Sequence, residues 1–171
     1  MRKIFLWFYC LPFGEAALLL LLASLLFWFL RKKLGDTAFW KTGILLLFLV
    51  WIAVIFFGTL GQRTEDGSLS PPILMPFASY CAVLNGGSRE LLRTNFMNVV
   101  LFYPAGLLGC EALPKKWRKG WKGVLITVLL ALVSGCIEYT QYQFGLGMAE
   151  TDDVIHNTLG ALLGGIVISI L

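Results

Sequence analysis

Five apolar stretches dominate the sequence, each close to the roughly 20 residues that a helix needs to cross a bilayer core of about 30 Å. The first ends at Leu30, just before Arg31-Lys32-Lys33, and begins between Ile4 and Glu15, with Pro12 suited to an early helical turn. The second runs from Gly43 to Leu60. The third runs from about Asn95 to Leu113, where Pro114 stops it, and the fourth from about Gly123 to Tyr142. The fifth runs from Val154 to Leu171. Only 14% of the residues are charged, 58% are hydrophobic and the mean hydropathy is +0.79. Soluble domains carry about 25% charge, so this chain has too little polar surface to cover itself in water. A soluble globule, a disordered chain and a disulfide-stapled module are excluded. The pattern predicts an all-α, polytopic transmembrane bundle forming a single membrane domain over residues 1–171.

Arg2 and Lys3 ahead of an apolar run imitate a secretory signal. That run continues to Leu30, closes on a basic triplet and is followed by no small-x-small cleavage site, so an uncleaved anchor is expected. Basic residues mark the cytoplasmic side of a membrane protein. Nine lie in the first and third loops, the third loop holding Lys115, Lys116, Arg118, Lys119 and Lys122, against five on the opposite side. The expected orientation is therefore N-terminus out and C-terminus in, within the cytoplasmic membrane. The net charge of +4 reads mostly as this topology signal and calls for no nucleic acid, although a polybasic loop can also hold anionic lipid. Between the second and third spans, Ile73–Leu84 is apolar but too short to cross, which predicts an interfacial or re-entrant piece between the breakers Pro71-Pro72 and Gly86-Gly87. The four cysteines show no Cys-x-x-Cys spacing; Cys10 and Cys81 face outward in this topology.

In a chain this apolar, the informative residues are the polar ones. A carboxylate at mid-helix costs about 2.5–3.5 kcal/mol on insertion scales and usually faces the bundle interior. Ser134, Glu138 and Gln141 fall on one stripe of the fourth helix at i, i+4 and i+7. Asp153, Asn157, Gly160 and Gly164 share a narrow face of the fifth, with His156, the one histidine, beside it. A short loop joins the two helices, so Glu138, Gln141, Asp153 and Asn157 are expected together at the outer end of a hairpin. Gly160 and Gly164 form a Gly-x-x-x-Gly step for close packing. The third helix adds Asn98, Phe102, Ala105, Gly106 and Gly109 on one face, and Pro104 removes the hydrogen bond to the Val100 carbonyl.

Glu138, Glu150, Asp152 and Asp153 are four of the ten acids, and their loop carries no basic residue. Compensation must come from Arg63, Arg89 or Arg93, from a cation or ligand, or from protonation. Arg89 and Arg93, just ahead of the third helix, are the preferred partners. A divalent metal on Glu138, Asp153 and His156 is chemically open, but nothing at ligand spacing enforces it. No cofactor motif is present and none is expected. Ser134 lies a turn deeper than Glu138 and belongs to no nucleophile motif.

Pro76-Phe77, Asn98-Val-Val-Leu-Phe-Tyr-Pro104-Ala-Gly106, Glu138-Tyr-Thr-Gln141 and Asp152-Asp153-Val-Ile-His-Asn157-Thr-Leu-Gly160-Ala-Leu-Leu-Gly164 resemble the VanZ-like family of small bacterial membrane proteins. The resemblance covers about residues 71–170. It departs at Phe144-Gly-Leu146-Gly147, where the family often carries an arginine. The resemblance implies an association with glycopeptide tolerance, teicoplanin in the founding case. Three functional classes follow. The first is a non-enzymatic protein that binds a lipid-linked cell-wall precursor or a lipoglycopeptide at an outward polar pocket built from Asn98, Glu138, Gln141, Asp152, Asp153 and Asn157. The second is an intramembrane enzyme using Glu138 and Asp153 as an acid/base pair on a lipid-linked substrate. The third is a small transporter, which would need a homo-oligomer. The first is the expected one.

Overall fold

The computed structural model describes residues 12–35, 37–60 and 71–170. Cys10, Arg63, the N-terminal edge of the first span and Leu171 lie outside them. The described residues form six helices: α1 Phe13–Leu34, α2 Ala38–Thr59, α3 Ala78–Leu84, α4 Glu90–Ala112, α5 Lys119–Gln143 and α6 Thr151–Ile170. The described residues form no named strand; a single parallel bridge joins Ile73 to Glu150. Among the described residues four helices, α1, α2, α5 and α6, are long and apolar enough to cross a membrane. The expected third span forms the 23-residue α4, which carries Glu90, Arg93, Asn95 and Asn98 in its first half and is not among these four.

The helices outrun the apolar limits that hydropathy sets. α1 continues through Arg31, Lys32 and Lys33, and α2 begins at Ala38, where Thr37 Oγ1 accepts from Trp40 N at 3.1 Å. Backbone hydrogen bonding carries a helix on past its apolar stretch, and a capping hydroxyl then satisfies an orphan N–H. Lys122, expected in the third loop, is a buried residue inside α5.

α4 is the axis of the bundle, with Met97, Leu101, Phe102, Ala105 and Leu108 among its buried positions. It meets α6 backbone to backbone. A Cβ on Gly106 would overlap the Ala161 carbonyl, one on Gly160 the Val99 carbonyl, and one on Gly164 the Tyr103 carbonyl, with Leu107 N also only 2.6 Å away. Small residues allow this approach, and it replaces the hydrophobic drive that lipid-facing helices lack. Pro104 lies within α4. Trp51 of α2 donates its indole N–H to the Leu101 carbonyl at 2.9 Å, so the α4 carbonyl taken by an outside side chain is Leu101's.

One end of the bundle is tied by Glu111. Its carboxylate pairs with Arg31 Nε at 3.0 Å and accepts from Trp40 Nε1 at 3.1 Å, while Lys122 Nζ donates to the Leu113 carbonyl at 3.1 Å. Glu111 thereby joins α1, α2 and α4. Changing Glu111→Gln removes the charged acceptor that Arg31 needs, and charge-assisted bonds of this kind contribute about 1.5–3 kcal/mol each. Thermal unfolding of the purified protein in detergent should show a clear drop in midpoint; an unchanged midpoint would deny Glu111 this role.

Candidate functional site

The end of the α5–α6 hairpin carries the polar residues that the sequence singles out. α5 closes on a Schellman arrangement: Gly145 N donates to Tyr142 O at 3.4 Å and Leu146 N to Gln141 O at 2.9 Å. Gly145, at φ 59°, supplies the left-handed residue that this cap requires. Leu146 thus occupies the position just beyond the cap, where an apolar side chain is usual.

The chain then returns along Ile73. Ile73 N donates to Ala149 O at 2.9 Å and Thr151 N to Ile73 O at 3.0 Å, stitching the segment before α3 to the loop that starts α6. Asp152, 1% exposed, completes this attachment. Its carboxylate accepts from Phe77 N at 2.5 Å, from Ser79 N at 2.9 Å and from Ser79 Oγ, while Asn95 Nδ2 donates to Ser79 Oγ at 2.7 Å. Phe77 stands at φ 60°, a conformation uncommon for a bulky residue. The Asp152 carboxylate stabilises it by taking the Phe77 N–H. His156, four residues on, contacts the Asp152 carbonyl through Nδ1 at 2.5 Å and Tyr80 Oη through Nε2 at 2.8 Å, with its ring stacked on Tyr80. Asp152 and His156 together hold α3 against α6.

The remaining residues face other partners. Asp153 Oδ1 accepts from Asn98 Nδ2 of α4 at 2.8 Å. Asn157 Nδ2 donates to Ser134 Oγ at 2.9 Å, and Gln141 Nε2 to the Thr59 carbonyl at 3.2 Å. Gln141 and Asn157 are 1% and 3% exposed, and Gln141 Oε1 and Asn157 Oδ1 have no hydrogen-bond partner among the described residues. Glu138, 7% exposed, accepts from Glu150 N at 2.9 Å. Glu138 also lines, with Glu150 and Thr151, a cavity of about 260 Å³, whose apolar and aromatic sides include Leu74, Tyr139, Tyr142 and Val154.

The hairpin therefore divides its polar set. Asp152 and His156 turn toward α3, Asp153 and Asn157 tie the helices to one another, and Glu138 faces the cavity. Arg93 pairs with Glu90 at 4.0 Å, and Arg89 is the N-cap residue of α4. Among the described residues no three His, Cys, Asp or Glu side chains are grouped to hold a metal, and both His156 nitrogens are engaged as above. Glu138, Asp153 and His156 are thus not brought together as ligands. Sequence reasoning missed Ser79, Tyr80 and Asn95 as partners of the motif. Asn95 stands one turn before Asn98 on the same helix, a spacing that could have revealed it.

The family model for VanZ/LLP1 matches residues 39–171, which takes in α2 as well as everything that follows it. The chain belongs to the VanZ/LLP1 family. The match begins well before residue 71, so α2, whose Thr59 carbonyl meets Gln141, is part of the family region. No curated protein and no solved structure matches the chain.

Proposed function

We propose that this VanZ-like membrane protein lowers the action of glycopeptides, lipoglycopeptides above all, by binding an amphiphile at the Glu138 cavity. The amphiphile is a lipid-linked cell-wall precursor or the lipoglycopeptide itself. In this reading the bundle has five spans in the bacterial cytoplasmic membrane, α4 being the fifth, with the N-terminus out and the hairpin end of α5–α6 facing outward. The ring of basic residues at the other end supports that orientation.

One observation carries the reading. A nearly buried carboxylate, Glu138, lines, together with Glu150 and Thr151, a cavity whose remaining walls are apolar and aromatic, at the hairpin that bears the family motif. Ligand pockets combine an apolar body with a few placed polar groups in this way. A purely structural network gives a poor reason for a buried acid there, since interhelical hydrogen bonds in membranes average about 0.6 kcal/mol. Asp153, held by Asn98, sets the α4–α6 register behind the cavity.

Expressing Glu138→Gln at the parent's membrane level and measuring teicoplanin susceptibility tests the proposal. The variant should protect no better than an empty control. Asp153→Asn should weaken protection partly, through position. Full protection by Glu138→Gln would remove the cavity from the function. Altered lipid or precursor mass spectra that revert in both variants would favour instead an enzyme with these two carboxylates.

A further inference from the structure

The Glu138 cavity cannot enclose a whole amphiphile. Its volume of about 260 Å³ falls below the roughly 300–1,000 Å³ of pockets that surround a drug-sized molecule. Only part of such a ligand fits, and the rest must leave through an open side. α5 supplies Gly135, Glu138, Tyr139 and Tyr142 to the lining. At about 100° per residue, Gly135 and Tyr139 fall on the same side of α5 as Val124, Val128 and Leu132. Val124, Val128, Leu132 and Tyr139 are all exposed. On a helix long and apolar enough to cross a membrane, this stripe meets lipid. The cavity and the lipid-facing stripe therefore share a rim, and Gly135 is that rim: a Cβ there would meet nothing within 4 Å. Gly135 lies about 12 Å from the end of α5 at Gln143, at 1.5 Å per residue. That is within the depth of one leaflet, half of a core of about 30 Å.

The polar lining sets the chemistry of the part that is enclosed. Glu138, Glu150 and Thr151 face the cavity, and among the described residues no Lys or Arg lines it. An ionised carboxylate only accepts hydrogen bonds, so a group seated here has to bring N–H or O–H donors. A phosphate brings acceptors and a negative charge, which the two carboxylates repel.

We infer that the cavity takes the head–tail junction of an amphiphile whose tail is joined through an amide or hydroxyl-bearing group. The donor meets Glu138, and the hydrocarbon tail leaves past Gly135 into the bilayer along Leu132 and Val128. Gly135 is then the residue that admits the tail. The inference rests on the reading of the Glu138 cavity as a binding site and narrows its ligand. An acyl-amide amphiphile fits, whereas one whose tail ends in phosphate, as in a lipid-linked precursor, does not.

The test uses the full chain in phosphatidylcholine nanodiscs, with a photocrosslinking residue at the cavity-lining Tyr142. Two probes of equal tail length, N-decanoylglucosamine and decyl phosphate, are added and the adducts read by intact mass. Each yield is divided by that from a crosslinker at the exposed Leu46 of α2, which reports probe dissolved in the bilayer. N-decanoylglucosamine should label about tenfold more than decyl phosphate, a charge-assisted hydrogen bond being replaced by repulsion. Gly135→Leu puts a side chain in the path of the tail and should lower N-decanoylglucosamine labelling about tenfold. Its unfolding midpoint should not fall, because the space is open and leucine is the better helix former. Gly135→Ala adds one methyl and should keep most of the labelling. If Gly135→Leu unfolds early, the two probes on the parent decide. Equal labelling by both probes, or undiminished labelling in a folded Gly135→Leu, would overturn the inference and leave the cavity a binding site, since Glu138→Gln should still abolish labelling. Undiminished labelling in Glu138→Gln would overturn the cavity itself.

Discussion

Changing Gly164→Val should deprive the cell of most of the folded protein. A Cβ at this position meets the Tyr103 carbonyl and Leu107 N of α4, which are main-chain atoms within a helix and cannot swing aside as a side chain does. Overpacking a core typically costs about 1–3 kcal/mol even where neighbours can adjust. Against rigid backbone the change should reach the upper end of that range or beyond. Folding stabilities are only about 5–15 kcal/mol in total, so the monodisperse fraction after detergent extraction should collapse. Gly106→Val and Gly160→Val strike the same α4–α6 seam, at the Ala161 and Val99 carbonyls, and should behave alike. Gly43→Ala, with open space at its Cβ, is the contrast. It should stay within about 1 kcal/mol of the parent, on the stabilising side if anything, because alanine is the better helix former. Size-exclusion profiles of fluorescently tagged variants read the difference directly, and parental yield from Gly164→Val would refute the close packing.

Asp152→Ala should release α3 while leaving the α4–α6 pair assembled. The substitution strands the main-chain N–H groups of Phe77 and Ser79 and the Ser79 hydroxyl, all of which the carboxylate serves. Each buried donor left unmet costs about 1–3 kcal/mol, and Phe77 loses the bond that stabilises its left-handed backbone. Together these exceed what a seven-residue helix can supply alone, since isolated helices shorter than about 12 residues are marginal. Hydrogen exchange over residues 76–84 should accelerate strongly, while α4 and α6 keep their protection. Asp152→Asn retains one acceptor oxygen but turns a donor toward the remaining donors, so it should give an intermediate effect. Unchanged exchange in Asp152→Ala would show that α3 is held by other contacts. The prediction separates two neighbouring acids: Asp152 acts on the fold of the α3 segment, and Glu138 on the cavity.

Much of this organisation is legible in the residues, for reasons that also mark where reading stops. The Gly160 and Gly164 face of α6 follows from helical period alone, because small residues at i and i+4 have one physical use in an apolar helix. That Asn98, Ser134, Asp153 and Asn157 turn inward follows from the expense of unpaired polar groups in hydrocarbon, but that Asn98 meets Asp153 and Ser134 meets Asn157 does not. The helix ends are less legible, since hydropathy marks the apolar part of a helix and says nothing of the hydrogen bonds that carry it through Arg31 or back to Ala38. The role of Asp152 could not be read at all. Its partners include main-chain N–H groups of Phe77 and Ser79, distant in sequence, and a main-chain donor leaves no mark in composition. Glu111 was hidden in the same way: within an apolar run it looks like a single exception until Arg31 and Trp40 are seen beside it. The sorting of polar residues into a packing set and a cavity set depends on which way each side chain turns around its helix, and only the three-dimensional arrangement contains that.

Occupation of the Glu138 cavity is tested most directly by a photocrosslinking residue placed at Tyr142, on the cavity wall, in cells exposed to a lipoglycopeptide. Binding at this site predicts a covalent adduct with an amphiphile, either the lipoglycopeptide or a lipid-linked precursor identified by its mass. The adduct should be lost when Glu138→Gln is added, and it should be missing when the crosslinker replaces the exposed Trp121 near the start of α5. An adduct that persists undiminished with Glu138→Gln, or that forms equally from position 121, would contradict it.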